Sequence, residues 1–342
     1  MFPDLSKQSR AFIIAELSAN HNNDFDLAVK TIRAIADSGA DAVKVQTFKP
    51  ESLSINADNE YFGPKTEGLW KGYRPYDLYK KAMMPWEWQP KLKTIAEELG
   101  LQFFSSPFDK EAVDFLDGMN VPAYKIASFE ITDIPLIAYA AAKGKPIIIS
   151  TGIATLADIE LAVNTCRQAG NNQITLLKCT SEYPAPFELA NLATIPHLKQ
   201  TFSVEVGLSD HTMGAIVPIV AVTLGAKVIE KHFILSRDLG GPDSAFSMEP
   251  QEFTFMIKSV REAEVSLGKI NYEVSEKNKL RRRSLFATKD IVGGETFTDE
   301  NIASVRPGNG LHPIFYYEIL GKKAKEKITK GTPLNWNLIS NL

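Results

Sequence analysis

The stretch "LGAKVIEKHF", residues 224–233, decides the reading of the fold. Leu-Gly-Ala is a small turn that feeds a short apolar run, Val228 and Ile229, as a buried strand requires. The run then ends on Glu230, Lys231 and His232 before Phe233. The same device, a glycine turn followed by a strand, recurs as "SGADAV" (38–43) and "LGLQFF" (99–104). Working outward, strands are expected within 11–19, 40–48, 101–107, 123–128, 146–151, 174–180, 203–210 and 227–233. Between them lie stretches such as "DLAVKTIRAIADSG" (26–39) and "ADIELAVNTCRQAG" (157–170), apolar at helical spacing and closed by glycine. Eight βα units over about 250 residues make the size of a (β/α)8 TIM barrel. A doubly wound sheet is the runner-up, but no G-x-G-x-x-G follows the first strand.

The totals agree with an α/β protein. The chain has 342 residues, 44% hydrophobic, with a formal net charge of −3. That balance gives no sign of a nucleic-acid partner. No run of about 18 apolar residues exists, so no membrane partner is expected. The N-terminal "MFPDLSKQSR" lacks the apolar stretch of a secretion signal. Cys166 and Cys179 are the only cysteines, which fits a reducing, cytoplasmic setting and neither a disulfide framework nor a structural zinc site.

Residues 1–268 are read as the barrel domain, 269–283 as a linker, and 284–342 as a small C-terminal domain. "KINYEVSEKNKLRRR" (269–283) is polar and charged without periodicity. About 60 residues is marginal for an independent domain, so this one is expected to pack on something larger. The connection over 49–85, with "YFGPKTEGLWKGYRPYDLY", is either a surface excursion or a lid or wall of a site.

In such barrels the reactive groups sit at the C-terminal strand ends. Here every strand brings polar residues to that end, among them Glu16, Lys44, Gln46, Ser106, Lys125, Ser128, Glu130, Ser150, Ser181, Ser209, His211, Glu230 and His232. One such residue meeting solvent is ordinary; eight strands agreeing is not. An ammonium facing a barrel interior costs several kcal/mol unless paired. An anion at about 4 Å returns roughly 4 kcal/mol per charge at intermediate dielectric. Lys44 and Lys125 with Ser128, Ser150 and Ser209 therefore read as a cradle for a small phosphate or carboxylate substrate. Internal salt bridges, such as Lys44 to Glu16, are the alternative. His211 and His232 end consecutive strands, and neighbouring strands lie about 4.8 Å apart. Two imidazoles there could share a divalent ion such as Mg²⁺ or Mn²⁺, although a histidine is more often structural. Alternation puts Glu230 and His232 on one face and turns Lys231 away, with no assigned role.

These residues resemble a known family. "IIAELSANHNN" (13–23), "DAVKVQTF" (41–48), "FFSSPFD" (103–109), "AYKIASFE" (123–130), "IISTGIA" (148–154), "LKCTSEYP" (177–184), "VGLSDHT" (206–212), "VIEKHF" (228–233) and "GPDSAFSME" (241–249) are similar, in order and spacing, to the motifs of the sialic acid synthases. "ATKDIVGGETFTDENIASVRPGNGL" (287–311) resembles their C-terminal antifreeze-like domain, also called SAF, of β-clip type. The resemblance covers nearly the whole chain. "ELSANH", "ASFE" and "CTSEYP" depart from the N-acetylneuraminic branch and look like the pseudaminic one.

The resemblance implies that phosphoenolpyruvate condenses with the open-chain aldehyde of an N-acetylated deoxy sugar, 2,4-diacetamido-2,4,6-trideoxy-L-altrose. Water completes a nine-carbon 2-keto acid and phosphate leaves. The legionaminic and N-acetylneuraminic synthases, which take manno-configured sugars, are the alternative. By the same resemblance Lys44, Ser106, Lys125, Ser128, Ser150, Ser181 and Ser209 would hold phosphoenolpyruvate. His211 and His232 would bind the cofactor, a divalent cation (Mn, Mg or Co). Glu16 would move a proton or place the water, and Glu230 would act near the metal. Tyr183 and Asp243 would contact the sugar, and Phe129 its 6-methyl group. Arg306 would reach the N-acetyl group from the partner in a domain-swapped homodimer. The product would serve a surface glycan, on flagellin, capsule or lipopolysaccharide.

Overall fold

The structure, a computed structural model, describes residues 2–340. It divides into two compact units, residues 1–268 and 269–342. The first holds eight parallel strands: β1 (Phe12–Glu16), β2 (Ala42–Thr47), β3 (Gln102–Pro107), β4 (Tyr124–Ile126), β5 (Ile147–Ser150), β6 (Ile174–Cys179), β7 (Glu205–Asp210) and β8 (Val228–His232). They pair in chain order, and β8 returns to β1 to close a barrel. The expected eight-strand barrel is the observed one.

The strands are buried along nearly their whole length, because the barrel interior covers one face and helices the other. Runs such as Ile147–Ile149 suit both faces at once. The helices start on side-chain caps. Asp24 accepts from the Leu27 amide, and Thr155 and Asp158 form a reciprocal capping box. The helix-to-strand turns of the repeated device carry glycine at φ 85° (Gly39), 82° (Gly100) and 96° (Gly225), where a side chain would be strained. These turns set where each strand begins, and so which residues reach its far end.

At the base, Phe2 packs edge-on against Phe12, with ring centroids 5.1 Å apart, and against Phe104 at 6.1 Å. A depression of about 1330 Å³ lies beside it. Its lysines are already committed: Lys93 to Glu97 at 2.7 Å, Lys145 to Asp117 at 2.9 Å and Lys199 to Glu205 at 3.1 Å. It is also at the opposite end of the strands from the polar residues. No helix among the described residues is long and apolar enough to cross a membrane.

The second unit has an antiparallel pair, β9 (Ser284–Ala287) with β10 (Ile302–Val305), and several isolated bridges. Its own small core gathers Leu285, Phe297, Ile302, Ile319, Ile328 and Leu334. Within 269–283, read from sequence as an irregular linker, Glu276–Lys279 forms one helical turn capped by Ser275.

Candidate active site

Three neighbouring strand ends align the central charges. Glu16 on β1 is level with Lys44 on β2 and with His232 on β8. Lys44 Nζ pairs with Glu16 Oε2 and lies 3.6 Å from Glu230 Oε1. It also donates to Ser106 Oγ at 3.3 Å. Lys125 Nζ is likewise 3.6 Å from Glu230 Oε1, and donates to Ser150 Oγ at 2.7 Å. Ser209 Oγ donates to Glu230 at 3.4 Å. All four charged groups are at most 5% exposed. The internal salt bridge given as the alternative, Lys44 to Glu16, is therefore present. Two ammoniums meet two carboxylates, which limits the desolvation cost. Burial still pushes Lys44 down to about 7, against the pull of Glu230. Burial works to raise the Glu230 carboxyl, but Lys125, Lys44 and His211 outweigh it and hold it below its ordinary range.

The hydroxyls beside this cluster converge on Gly152. Ser128 and Ser181 share a hydrogen bond of 2.7 Å. A side chain at Gly152 would stand 2.6 Å from Ser128 Oγ, still closer to Ser181 Oγ, and 3.1 Å from Cys179 Sγ. A methyl group would fit there only if these hydroxyls moved. The backbone after β5 is thereby kept open against the serines, the kind of polar concavity that takes an anion.

The two histidines face each other with ring centroids 5.3 Å apart. Rings sharing one ion at about 2.1 Å per bond have centroids no more than roughly 6.5 Å apart. His211 Nδ1 donates to Thr180 O at 2.9 Å, which fixes the tautomer and frees Nε2. His232 Nδ1 is buried without a hydrogen-bond partner. Burial drives its pKa well down, which favours the neutral ring with a lone pair to offer. These atoms fit a divalent ion. Among the described residues no group of three or more His, Cys, Asp or Glu side chains is placed to hold one. The protein would thus supply two ligands and leave the other positions to water and substrate.

An aromatic wall borders the histidines. Tyr183 lies 4.4 Å from the His211 ring and 5.9 Å from Trp70. Trp70 Nε1 donates to Pro242 O at 3.0 Å, so the connection over 49–85 forms one side of the site. Next to Pro242, Asp243 accepts from Ser18 Oγ at 2.5 Å and from the Ala19 amide at 3.3 Å. Its burial pushes the carboxyl pKa up.

The expected barrel residues apart from Phe129, which is exposed, thus gather around this strand-end cluster. Arg306 is exposed after β10 in the second unit. Two participants had been noted only as polar strand-end residues without a role. Gln46 Nε2 donates to Glu16 Oε1 and to Ser18 Oγ, each at 3.1 Å, and so holds the carboxylate in place. Its alternation with Lys44, two residues earlier, is the signal that finds it. Glu130 has a buried, unpartnered Oε2, and burial pushes its pKa up to about 7, with Lys125 opposing. His21, just beyond the β1 end, is held by local contacts. Its Nδ1 accepts from the Asn23 amide at 3.0 Å and its ring packs on Trp88.

The NeuB family pattern matches residues 31–272, and a SAF domain matches 282–340. The chain belongs to the NeuB family. Among relatives, it is 48% identical over 327 residues to the pseudaminic acid synthase of Helicobacter pylori, covering 94% of this chain and 96% of that protein. It is 46% identical over 334 residues to the pseudaminic acid synthase of Campylobacter jejuni, covering 97% of each. The N,N'-diacetyllegionaminic acid synthase of Legionella pneumophila is further off, at 38% over 336 residues, covering 96% of this chain and 94% of that protein. Among solved structures, the N-acetylneuraminic acid synthetase of Leptospira borgpetersenii in complex with citrate matches with a TM-score of 0.70 at 32% identity, covering 79% of this chain and 89% of that one. As a NeuB-family barrel, the chain is a sugar-acid synthase.

Proposed function

We propose that this synthase condenses phosphoenolpyruvate with 2,4-diacetamido-2,4,6-trideoxy-L-altrose and water to give pseudaminic acid and phosphate. One observation carries the reading: two buried ammoniums, a serine cradle and two facing imidazoles occupy one barrel mouth, in a chain 48% identical to a pseudaminic acid synthase. Lys44 and Lys125 face the substrate's charges, and Ser106, Ser128, Ser150, Ser181 and Ser209 accept or donate around them. Glu16, oriented by Gln46, is placed to move a proton or to position water for attack at the enol carbon. The new bond joins the enol methylene carbon to the sugar's aldehyde carbon. The carbon–oxygen bond to phosphate then breaks, and phosphate leaves from the cradle. A divalent cation held by His211 and His232, manganese, magnesium or cobalt, would supply Lewis-acid polarisation of the aldehyde oxygen. Glu230, 3.6 Å from both lysine ammoniums, restrains them and would act near the metal. Tyr183 and Asp243 border the sugar, and Phe129, 57% exposed beside Ser128, offers the 6-methyl group an apolar contact. Arg306 completes the site at the N-acetyl group from the partner subunit of a domain-swapped homodimer, which gives the small second unit its purpose. Both cysteines are unpaired and buried, in keeping with a cytoplasmic enzyme.

Phosphate release measured with the altrose sugar, with 2,4-diacetamido-2,4,6-trideoxymannose and with N-acetylmannosamine tests the reading. Turnover with the altrose sugar at least 100-fold above the others is expected. Preference for either manno-configured sugar would move the chain to the legionaminic or N-acetylneuraminic branch.

A further inference from the structure

Lys231 is the one charged residue of β8 that the proposed chemistry does not use. It faces away from Glu230 and His232, yet it is only 1% exposed. Its ammonium is spent on the end of the neighbouring strand. Nζ donates to Asp210 Oδ2 at 2.5 Å and to the carbonyl of Thr212. Asp210, level with Lys231 in the β7–β8 pairing, accepts two more bonds: from the Thr212 amide at 2.9 Å and from Thr212 Oγ1 at 3.1 Å. Asp210 and Thr212 are the two residues that flank His211. Lys231 is the residue just before His232. One ammonium therefore ties the residues on both sides of one imidazole, through the Asp210 carboxylate and the Thr212 carbonyl, to the strand that carries the other.

We propose that Lys231 is a positioning residue for the His211–His232 pair. It sets their separation by clamping the Asp210–Thr212 turn to β8. The proposal rests on the reading of these histidines as ligands to a divalent ion. Three features support it. The clamp is complete, since each oxygen of Asp210 has a donor and Lys231 has two acceptors. It is local, since all its bonds fall within one residue of the two histidines. And a buried ion pair is seldom a better source of stability than apolar packing of the same volume, whereas it specifies one geometry. The His211 ring is held separately, by its bond to Thr180 O, so the clamp governs where the ring's backbone sits and not its tautomer. Groups behind a metal ligand typically change metal affinity about 10- to 100-fold when removed.

The test uses the full-length protein and Mn²⁺ alone, titrated directly by the electron paramagnetic resonance of the free ion, with no turnover. His232→Ala sets the floor and tests the underlying reading by itself. If it binds Mn²⁺ as wild type does, the histidines are not the ligands and the ligand assignment falls first. With that control passed, Lys231→Met is expected to weaken Mn²⁺ about 10- to 100-fold, while its calorimetric affinity for phosphoenolpyruvate without metal stays within about threefold. Lys231→Met with Asp210→Asn removes both charges together, which avoids a lone buried carboxylate, and is expected to show the same Mn²⁺ loss. Lys231→Arg, which keeps a donor at the clamp, is expected to recover most of it. Wild-type Mn²⁺ affinity in either folded neutral variant would overturn the proposal. So would failure of both to fold, because the pair would then serve the fold and not the site.

Discussion

Lys44 and Lys231 make an instructive pair. Both are buried lysines near the C-terminal ends of strands, separated only by β1, and both face carboxylates. They differ in what those carboxylates still have to offer. Around Lys44, Glu16 Oε2 is engaged only by the ammonium itself, and Glu230 Oε2 has no hydrogen-bond partner. Asp210, against Lys231, is saturated by three donors. A saturated ion pair has nothing to exchange and acts as a fastening. An unsaturated one can trade a protein carboxylate for an incoming anion at little net cost. Burial of a cation alone does not separate function from structure; the unmet capacity of its neighbours does.

That contrast can be broken most directly at Lys44. Losing a charge contact of roughly 4 kcal/mol weakens phosphoenolpyruvate by about 10³-fold, so Lys44→Met is expected to raise its calorimetric dissociation constant by that order. A change under tenfold would make Lys44 a mere partner of Glu16, equivalent to Lys231. Next in size, Glu16→Gln keeps the shape but not the basicity. Single-turnover rates are expected to fall about 10²- to 10³-fold with the melting temperature little altered; a rate near wild type would leave Glu16 only its pairing role. Arg306→Ala is expected to raise the sugar KM about 10- to 100-fold, as for loss of a charged hydrogen bond, and to spare phosphoenolpyruvate binding. Equal loss for both substrates would make the arm structural.

The smallest effect is in pH. Burial lowers Lys44 to about 7 in the free enzyme, and a bound anion favours its charged form. Below 7 the ammonium is already present and this group adds no pH dependence. Above 7 binding must take up a proton, so phosphoenolpyruvate affinity should fall by up to about tenfold per pH unit. Glu130, pushed up to about 7 by burial, gains negative charge over the same range and acts in the same direction. Calorimetry in buffers of different ionisation enthalpy would detect the uptake, and an affinity flat from pH 6 to 9 would place the Lys44 proton outside the binding step.

Much of this was legible in the chain. The barrel followed from repeated glycine turns and apolar strands, and alternation put Glu230 and His232 together because that period is a property of any extended backbone. What escaped depends on pairing between segments far apart. Whether Lys44 meets Glu16 or an anion turns on β1–β2 register, and Lys231 found Asp210 only because β7 and β8 align those two residues. Trp70 closes the site from a connection with no periodicity, so nothing local foretold its bond to Pro242. Glu130 sits in a short 3-10 turn after β4, where neither helical nor strand spacing shows its direction.

Gly152 carries a consequence of its own. Its backbone does not lie in the left-handed region, so alanine there meets no conformational strain; the obstacle is the Ser128 and Ser181 hydroxyls. A single methyl group there would force the Ser128 and Ser181 hydroxyls away from their present places, with every charge and every strand unchanged.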